Sequence, residues 1–157
     1  PSTVAKDFNK KLNDLIFNNS EIEKWEIVGH SMGGTVVLFS IVNAELNENI
    51  TYNIAATALH MEIDKVPMAT RISIEKRFKK CPDNLNSFDD VFSEGFKNEL
   101  IQWRNIKEFD SQFKKYDFDP YDKDIKNSKI VQFPDSLNGE RVGHTSSLYF
   151  SILEIIN

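Results

Sequence analysis

The pentapeptide 29–33, Gly-His-Ser-Met-Gly, has the Gly-x-Ser-x-Gly pattern in which a serine hydroxyl can act as a nucleophile. The apolar residues Ile27 and Val28 precede it, as in a strand, and the apolar run 35–42 follows it, as in a buried helix. A serine between such a strand and such a helix lies on a tight turn that exposes its hydroxyl. The pattern therefore predicts a nucleophile at Ser31.

Glycines on both sides of Ser31 are expected to serve close packing. Gly29 and Gly33 flank the serine, where a residue without a Cβ tolerates the approach of neighbouring backbone. Gly34 is expected to let the following helix pack closely on the strand. The backbone N–H of Met32, at the start of that helix, is expected to point toward an oxyanion that forms during attack by Ser31.

The sequence Gly-His-Ser-Met-Gly-Gly at 29–34 resembles the α/β-hydrolase superfamily, specifically its lipase, esterase and thioesterase-like members. The resemblance extends upstream, where Ser2 or Thr3 can cap a helix. Apolar residues at three- and four-residue steps predict that helix: Val4, Phe8, Leu12, Leu15 and Ile16. The resemblance implies an α/β fold of the α/β-hydrolase type, with a mostly parallel sheet flanked by helices.

The family places further strands before this first helix, together with a loop that supplies a second oxyanion N–H. The chain opens at Pro1 directly on the helix. We therefore expect a partial α/β-hydrolase domain that is a fragment of a longer hydrolase, with its missing N-terminal segment as a partner. A pared-down version of the fold is the alternative.

Three segments of a single domain, 1–157, are predicted from the distribution of apolar residues. Segment 1–64 holds the first helix, the strand, turn and helix around Ser31, and a further strand over 50–63. Segment 65–116 is predicted to be a helical insertion that packs its aromatics into the core or forms a lid over the active site. Its apolar residues recur at helical spacing: Phe88, Val91, Phe92, Phe96, Leu100, Trp103, Ile106 and Phe109.

The last segment, 117–157, contains a final strand, a loop and a closing helix. Residues 129–133 read as the strand, which Pro134 stops. A polar loop with Gly139 and Gly143 follows, and the helix is predicted over 146–156.

A serine needs an adjacent base, and the chain has three histidines. His30 is expected to turn away from the tip of the turn as a packing residue. His60 lies near the end of the predicted strand 50–63 and is expected to be buried and satisfied. His144 lies in the loop between the last strand and the terminal helix, which is where the resemblance places the catalytic histidine. We therefore expect His144 to be the base.

The acid that orients the histidine is the least defined residue. The resemblance favours Asp119, because Asp119-Pro120 is similar to the Asp-Pro pair that follows the family's penultimate strand. Asp64 is the main rival, since it ends an apolar strand. Asp117, Asp122 and the absence of any acid stay open as further alternatives.

Composition narrows the function classes further. The chain has 157 residues, 40% of them hydrophobic and 27% charged, which is typical of a globular domain. The net charge is −5 without a basic stripe, so nucleic acid is not expected as a partner. No apolar run approaches the roughly 18 residues of a membrane span.

The predicted function is therefore a serine hydrolase of the lipase or esterase kind, which cleaves a small-molecule or lipid ester, or a thioester, through an acyl-enzyme on Ser31. No metal or organic cofactor is implied. Two alternatives are a non-catalytic binding or scaffold module on the same fold, and an acyltransferase that passes the acyl group to an alcohol or amine.

Overall fold

The computed structural model describes residues 2–42, 44, 47–60, 65–68, 72 and 95–157. Three helices and six strands lie within these ranges: α1 Ser2–Asn18, β1 Trp25–His30, α2 Met32–Val42, β2 Ile50–Ala55, β3 Glu99–Arg104, β4 Lys129–Gln132, β5 Ser136–Leu137, β6 Glu140–Arg141 and α3 Ser146–Ile156. A short 3₁₀ helix, Lys107–Phe109, follows β3.

Four strands form a parallel sheet in the order β1-β2-β3-β4, and β5 and β6 form a separate antiparallel hairpin. The register pairs Gly29 of β1 with Ile54 of β2, and Ile54 with Gln102 of β3. Because all four strands run the same way, their carboxyl ends meet at one edge of the sheet. The segments that follow β1, β3 and β4 therefore all start at this edge of the sheet.

Helices cover both faces of the sheet, as parallel strands require. On one face, α1 packs on α2 and α2 packs on β1 and β2. Leu100 of β3 joins that core, whereas Trp103 packs in a second core with Phe150 of α3. Residues at odd spacing in a strand point to opposite faces, so α3 covers the other side. The predicted parallel sheet flanked by helices is confirmed.

The first helix is also confirmed, but its buried stripe differs from the predicted one. Leu12 is only 5% exposed, and Phe8 and Ile16 pack against the same core. Val4 and Leu15, however, are more than half exposed. They lie beside the buried face of the helix, which residues 8, 12 and 16 form at four-residue steps.

One strand ends earlier than predicted. Strand β2 ends at Ala55, whereas the predicted strand runs on to residue 63. Ala56 has a φ of 47°, and this left-handed residue turns the chain out of the extended conformation. Residues 61–64 lie outside the described residues.

The predicted helical insertion over 65–116 is wrong at its carboxyl-terminal part, because Glu99–Arg104 is the strand β3. Leu100 and Trp103, which are three residues apart, fit a helix and also the two faces of a buried strand. Tertiary packing resolves the ambiguity, since β3 pairs with β2 on one side and β4 on the other. The predicted helical positions Phe88, Val91 and Phe92 lie outside the described residues.

The carboxyl-terminal predictions are confirmed. Strand β4 covers 129–132, and α3 covers 146–156. The hairpin of β5 and β6 occupies the loop between them.

Candidate active site

Ser31 occupies the turn between β1 and α2, alone between the last strand residue and the first helical one. Its φ is 54°, in the left-handed region that residues other than glycine enter at a cost. The N–H of Ser31 donates to the carbonyl of Ala55 at 2.9 Å, which ties the turn to the end of β2. The sharp turn predicted around Ser31 is therefore present.

The glycines around this turn have different roles. A Cβ on Gly29 would lie 2.7 Å from the carbonyl oxygen of Gly33 and from a methyl of Val37. A Cβ on Gly34 would lie 1.8 Å from Oγ1 of Thr57, so this glycine lets α2 approach the segment after β2. A Cβ on Gly33 would meet no atom of the described residues within 4 Å. The expected crowding at Gly29 and Gly34 is confirmed, and that at Gly33 is wrong.

His144 lies against Ser31 across the sheet edge. Its Nε2 atom is 3.0 Å from Oγ of Ser31, and its Nδ1 atom is 3.0 Å from Oδ2 of Asp110. Because an ionised carboxylate can only accept, Nδ1 carries the proton and donates to Asp110. Nε2 then has a free lone pair and accepts the hydroxyl hydrogen of Ser31. This arrangement orients the imidazole as a base toward Ser31.

Asp110 is fully buried and accepts hydrogen bonds on both carboxylate oxygens. Oδ2 accepts from His144, from the hydroxyl of Tyr121 at 2.5 Å and from Nδ2 of Asn105 at 3.0 Å. Oδ1 accepts from the backbone N–H of Gln112 at 2.8 Å. Burial raises the pKa of Asp110, but these hydrogen bonds outweigh it and lower the pKa to about 2. Asp110 is therefore a carboxylate at neutral pH.

The acid beside the imidazole is thus Asp110 and not the predicted Asp119. Asp119 instead accepts the N–H of Tyr121 on its Oδ1 at 2.9 Å, as a turn residue often does. Asp117 lies 3.7 Å from the ammonium of Lys65, and Asp122 is 2.9 Å from Nδ1 of His60. Asp64 lies outside the described residues.

The other two histidines do not face the serine hydroxyl. Nε2 of His30 donates to the backbone carbonyl of His144 at 2.6 Å, and the two rings are 5.0 Å apart. His30, expected as a packing residue, therefore also anchors the backbone at His144. His60, expected to be buried, is partly exposed and bonds Asp122.

Met32 is the first residue of α2, with a side chain 53% exposed. The first N–H groups of a helix have no acceptor within the helix. The N–H of Gly34, two positions on, donates to the carbonyl of Ser31 at 3.0 Å. The predicted role of the Met32 N–H at an oxyanion stays a prediction.

Parallel topology explains why these distant residues meet. Ser31 directly follows β1, and Asp110 follows β3 through the short 3₁₀ helix. His144 follows β4 through the hairpin of β5 and β6. All three come from the carboxyl ends of strands, where open α/β sheets bind their ligands.

Sequence reasoning missed Asp110, Asn105 and Tyr121. The assignment of 99–104 to a helix removed the strand end that Asn105 and Asp110 follow. The sequence 99–104, Glu-Leu-Ile-Gln-Trp-Arg, contains isoleucine and tryptophan, which favour strands, and this was the available signal.

The described residues contain neither a cluster of metal-binding side chains nor a helix suited to span a membrane. They contain no group of three or more histidine, cysteine, aspartate or glutamate side chains arranged to hold a metal ion. None of the helices within them has the length and apolar character needed to span a bilayer.

Comparisons with known proteins bear on the fold. No protein-family model and no curated protein sequence matches this chain. Among solved structures, an esterase from Exiguobacterium antarcticum is similar with a TM-score of 0.51 and 14% identity, over 97% of this chain and 70% of that one. The fold is of the α/β-hydrolase type. An alpha/beta hydrolase enzyme from the metagenome of sediments from the lagoon of Mar Chica, Morocco, has a TM-score of 0.48 and 12% identity, over 97% of this chain and 68% of that one.

At 14% identity the likeness to the esterase shows the α/β-hydrolase fold alone. The chemistry of this chain has to be argued from its own residues.

Proposed function

We propose that this α/β-hydrolase-type chain is a serine hydrolase that cleaves a carboxylic ester or thioester through an acyl-enzyme on Ser31. The observation that carries the proposal is the continuous hydrogen-bonded series from Ser31 through His144 to Asp110, with both links at 3.0 Å. A serine hydroxyl, an imidazole and a buried carboxylate in this order form the nucleophile, base and orienting acid of acyl transfer.

In the first half of the proposed reaction, Oγ of Ser31 attacks the acyl carbon while Nε2 of His144 takes the hydroxyl proton. The carbonyl oxygen becomes an oxyanion, and the N–H of Met32 is proposed to donate a hydrogen bond to it. The imidazolium then gives its proton to the departing alcohol or thiol. The acyl group remains on Ser31 as an ester.

In the second half, a water molecule attacks the acyl carbon and gives a proton to Nε2 of His144. The tetrahedral intermediate collapses, the carboxylic acid leaves, and the proton returns to Oγ of Ser31. Asp110 keeps its charge throughout and stabilises the imidazolium through Nδ1. Its low pKa supports this part of the proposal, because the carboxylate does not take the proton from His144.

The test compares Ser31→Ala with a matched serine variant, Ser136→Ala, on the exposed hairpin strand β5. We expect the wild-type chain and Ser136→Ala to hydrolyse a short p-nitrophenyl ester, and Ser31→Ala to lose this activity while its circular dichroism is unchanged. Unchanged turnover in Ser31→Ala would remove the mechanism.

A fluorophosphonate probe separates the enzyme from a non-catalytic module. It reacts covalently with an activated serine, so we expect labelling of the wild type at Ser31 and none of Ser31→Ala. If the wild type shows no labelling and no turnover, the binding or scaffold module is favoured. Product analysis with an added alcohol or amine identifies an acyltransferase, because the acyl group would then appear on the acceptor.

A further inference from the structure

The carboxylate of Asp110 has more hydrogen-bond donors than it needs to hold His144. Oδ2 alone accepts three of them, from Nδ1 of His144 at 3.0 Å, from the hydroxyl of Tyr121 at 2.5 Å and from Nδ2 of Asn105 at 3.0 Å. Two donors from other parts of the chain therefore converge on the oxygen that orients the imidazole.

The hydroxyl of Tyr121 lies close to both the acid and the imidazole. Because Asp110 is ionised, the hydroxyl must donate its proton to Oδ2, and its oxygen lies 3.5 Å from Nδ1 of His144. The Tyr121 ring packs edge-on against Phe113 at 5.8 Å, and Phe113 packs edge-on against His144 at 5.7 Å. One aromatic ring thus fixes the tyrosine and the histidine relative to each other.

The side chain of Asn105 donates to Asp110, and this orientation leaves its own carbonyl oxygen in an unfavourable environment. Its side chain is 2% exposed, and its Oδ1 finds no hydrogen-bond partner among the described residues. A buried carbonyl without a partner destabilises the fold. The opposite amide orientation would place Oδ1 against the carboxylate, where two acceptors repel each other. The amide N–H is therefore committed to Asp110.

We propose that Tyr121 is a positioning residue, whose hydroxyl holds Oδ2 of Asp110 against His144 and moderates the negative charge that this oxygen presents to the imidazole. The role deepens the proposed function and rests on it, because the proton affinity of His144 matters for acyl transfer. A carboxylate oxygen that accepts a strong hydrogen bond spreads its charge toward the donor. The imidazolium is then less stabilised than it would be beside a carboxylate that lacks this hydrogen bond.

Other charged or titratable groups face this cluster from the surrounding elements. His30 on β1 has its ring 5.0 Å from that of His144, and the negative charge of Asp119 acts on Tyr121. The guanidinium of Arg141 on β6 donates to the carbonyl of Phe109, the residue before Asp110. Variants that change only a tyrosine hydroxyl leave these groups in place, so they isolate the effect of that hydroxyl.

The first experiment titrates the His144 imidazole by NMR in the wild type, in Tyr121→Phe and in the matched control Tyr116→Phe. The ring of Tyr116 also contacts Phe113, at 6.1 Å, so the control removes a hydroxyl from the same aromatic cluster. We expect the midpoint for His144 to rise by about 0.5 to 1 pH unit in Tyr121→Phe and to stay unchanged in Tyr116→Phe. The same midpoint in all three proteins would overturn the proposal.

The second experiment measures ester hydrolysis against pH. In Tyr121→Phe we expect the acid limb of the kcat profile to shift to higher pH, by the same amount as the NMR midpoint. Above that limb we expect kcat to fall roughly tenfold, with KM unchanged. If Tyr121 only stabilised the fold, the substitution would lower the yield of folded protein without shifting the acid limb of the kcat profile. If the wild type shows neither hydrolysis nor probe labelling, the proposed function fails, whereas the NMR titration still decides the effect of Tyr121 on His144.

A third measurement serves if Tyr121→Phe does not fold. Protein made with 3-fluorotyrosine keeps every hydroxyl, and the fluorine makes each a stronger hydrogen-bond donor. We then expect the His144 midpoint to move to lower pH, with the shift retained when Tyr116 is replaced by phenylalanine in the fluorinated protein. A midpoint that stays in place or rises would contradict the proposal.

Discussion

His30 and His144, 114 positions apart, are joined by a hydrogen bond in which Nε2–H of His30 donates to the backbone carbonyl of His144 at 2.6 Å. The hydroxyl of Ser147 donates to the same carbonyl at 2.8 Å. The residue before Ser31 therefore anchors the loop that carries His144. The strand that positions Ser31 also positions its partner.

Replacing His30 with leucine should impair the proposed hydrolysis without touching the nucleophile. The variant replaces the donor with an apolar side chain, so the backbone carbonyl of His144 keeps the hydrogen bond from Ser147 and loses the one from position 30. We expect kcat to fall by about fivefold, the effect of a hydrogen bond worth about 1 kcal/mol. His60→Leu is the control, because it removes a histidine whose Nδ1 bonds Asp122. Equal kcat values in the two variants would show that the anchor has no influence on catalysis.

Asp110→Asn and Asp119→Asn form a pair that tests which carboxylate orients the base. An asparagine at 110 presents no charge to Nδ1 and favours the wrong imidazole tautomer. We expect kcat to fall about 10³- to 10⁴-fold in Asp110→Asn and to stay close to that of the wild type in Asp119→Asn. Steady-state kinetics with a p-nitrophenyl ester measures both. The reverse ranking would restore Asp119 as the acid.

Acid should destabilise the fold through Asp110. Hydrogen bonds lower the pKa of this carboxyl from 3.8 to about 2, although burial opposes the change. The lowered pKa stabilises the fold above about pH 4, and this contribution is lost as the pH falls from 4 through 2. We expect Asp110 to account for a loss of about 2 kcal/mol in the free energy of unfolding over that range.

Urea unfolding of the wild type and of Asp110→Asn at pH 5, 3 and 2 checks this prediction. The variant has no carboxyl to titrate at position 110, so its loss between pH 5 and 2 should be smaller by that amount. Parallel pH dependences in the two proteins would exclude Asp110 as the source. Asp110 keeps its charge above pH 4, so a loss of hydrolysis at higher pH must arise elsewhere.

Gly34→Ala should destabilise the fold far more than Gly33→Ala. The new methyl at position 34 would overlap Oγ1 of Thr57 at 1.8 Å, so α2 would have to shift away. We expect a loss of about 1 to 3 kcal/mol in the free energy of unfolding, as for overpacking of a core. At position 33 the methyl meets no described atom within 4 Å, and alanine favours the helix. Thermal unfolding of the two variants should therefore differ, and equal midpoints would contradict the packing role of Gly34.

Residues near one another in sequence were predicted well because local physics determines them. The turn at Ser31 follows from an apolar strand, a Gly-x-Ser-x-Gly sequence and an apolar helix in direct succession. The position of His144 between the last strand and α3 was likewise predicted from adjacent elements, and its imidazole contacts Ser31.

The acid could not be predicted in the same way, because its identity depends on how β3 pairs. Leu100 and Trp103 satisfy both a helical and a strand period, and only the pairing of β3 between β2 and β4 makes Glu99–Arg104 a strand. With β3 in the sheet, Asp110 reaches the edge where Ser31 and His144 lie.

The sequence by itself determined the turn that carries Ser31, the place of His144 between the last strand and α3, and the parallel α/β class, since each depends on short-range patterns of apolar residues, glycines and chain order. Tertiary structure alone decided that Asp110 faces His144, that Tyr121 and Asn105 join it, and that His30 anchors the base loop. Those contacts depend on side chains brought together across a sheet edge. Such distances are determined by the packing of whole elements, which no local pattern encodes.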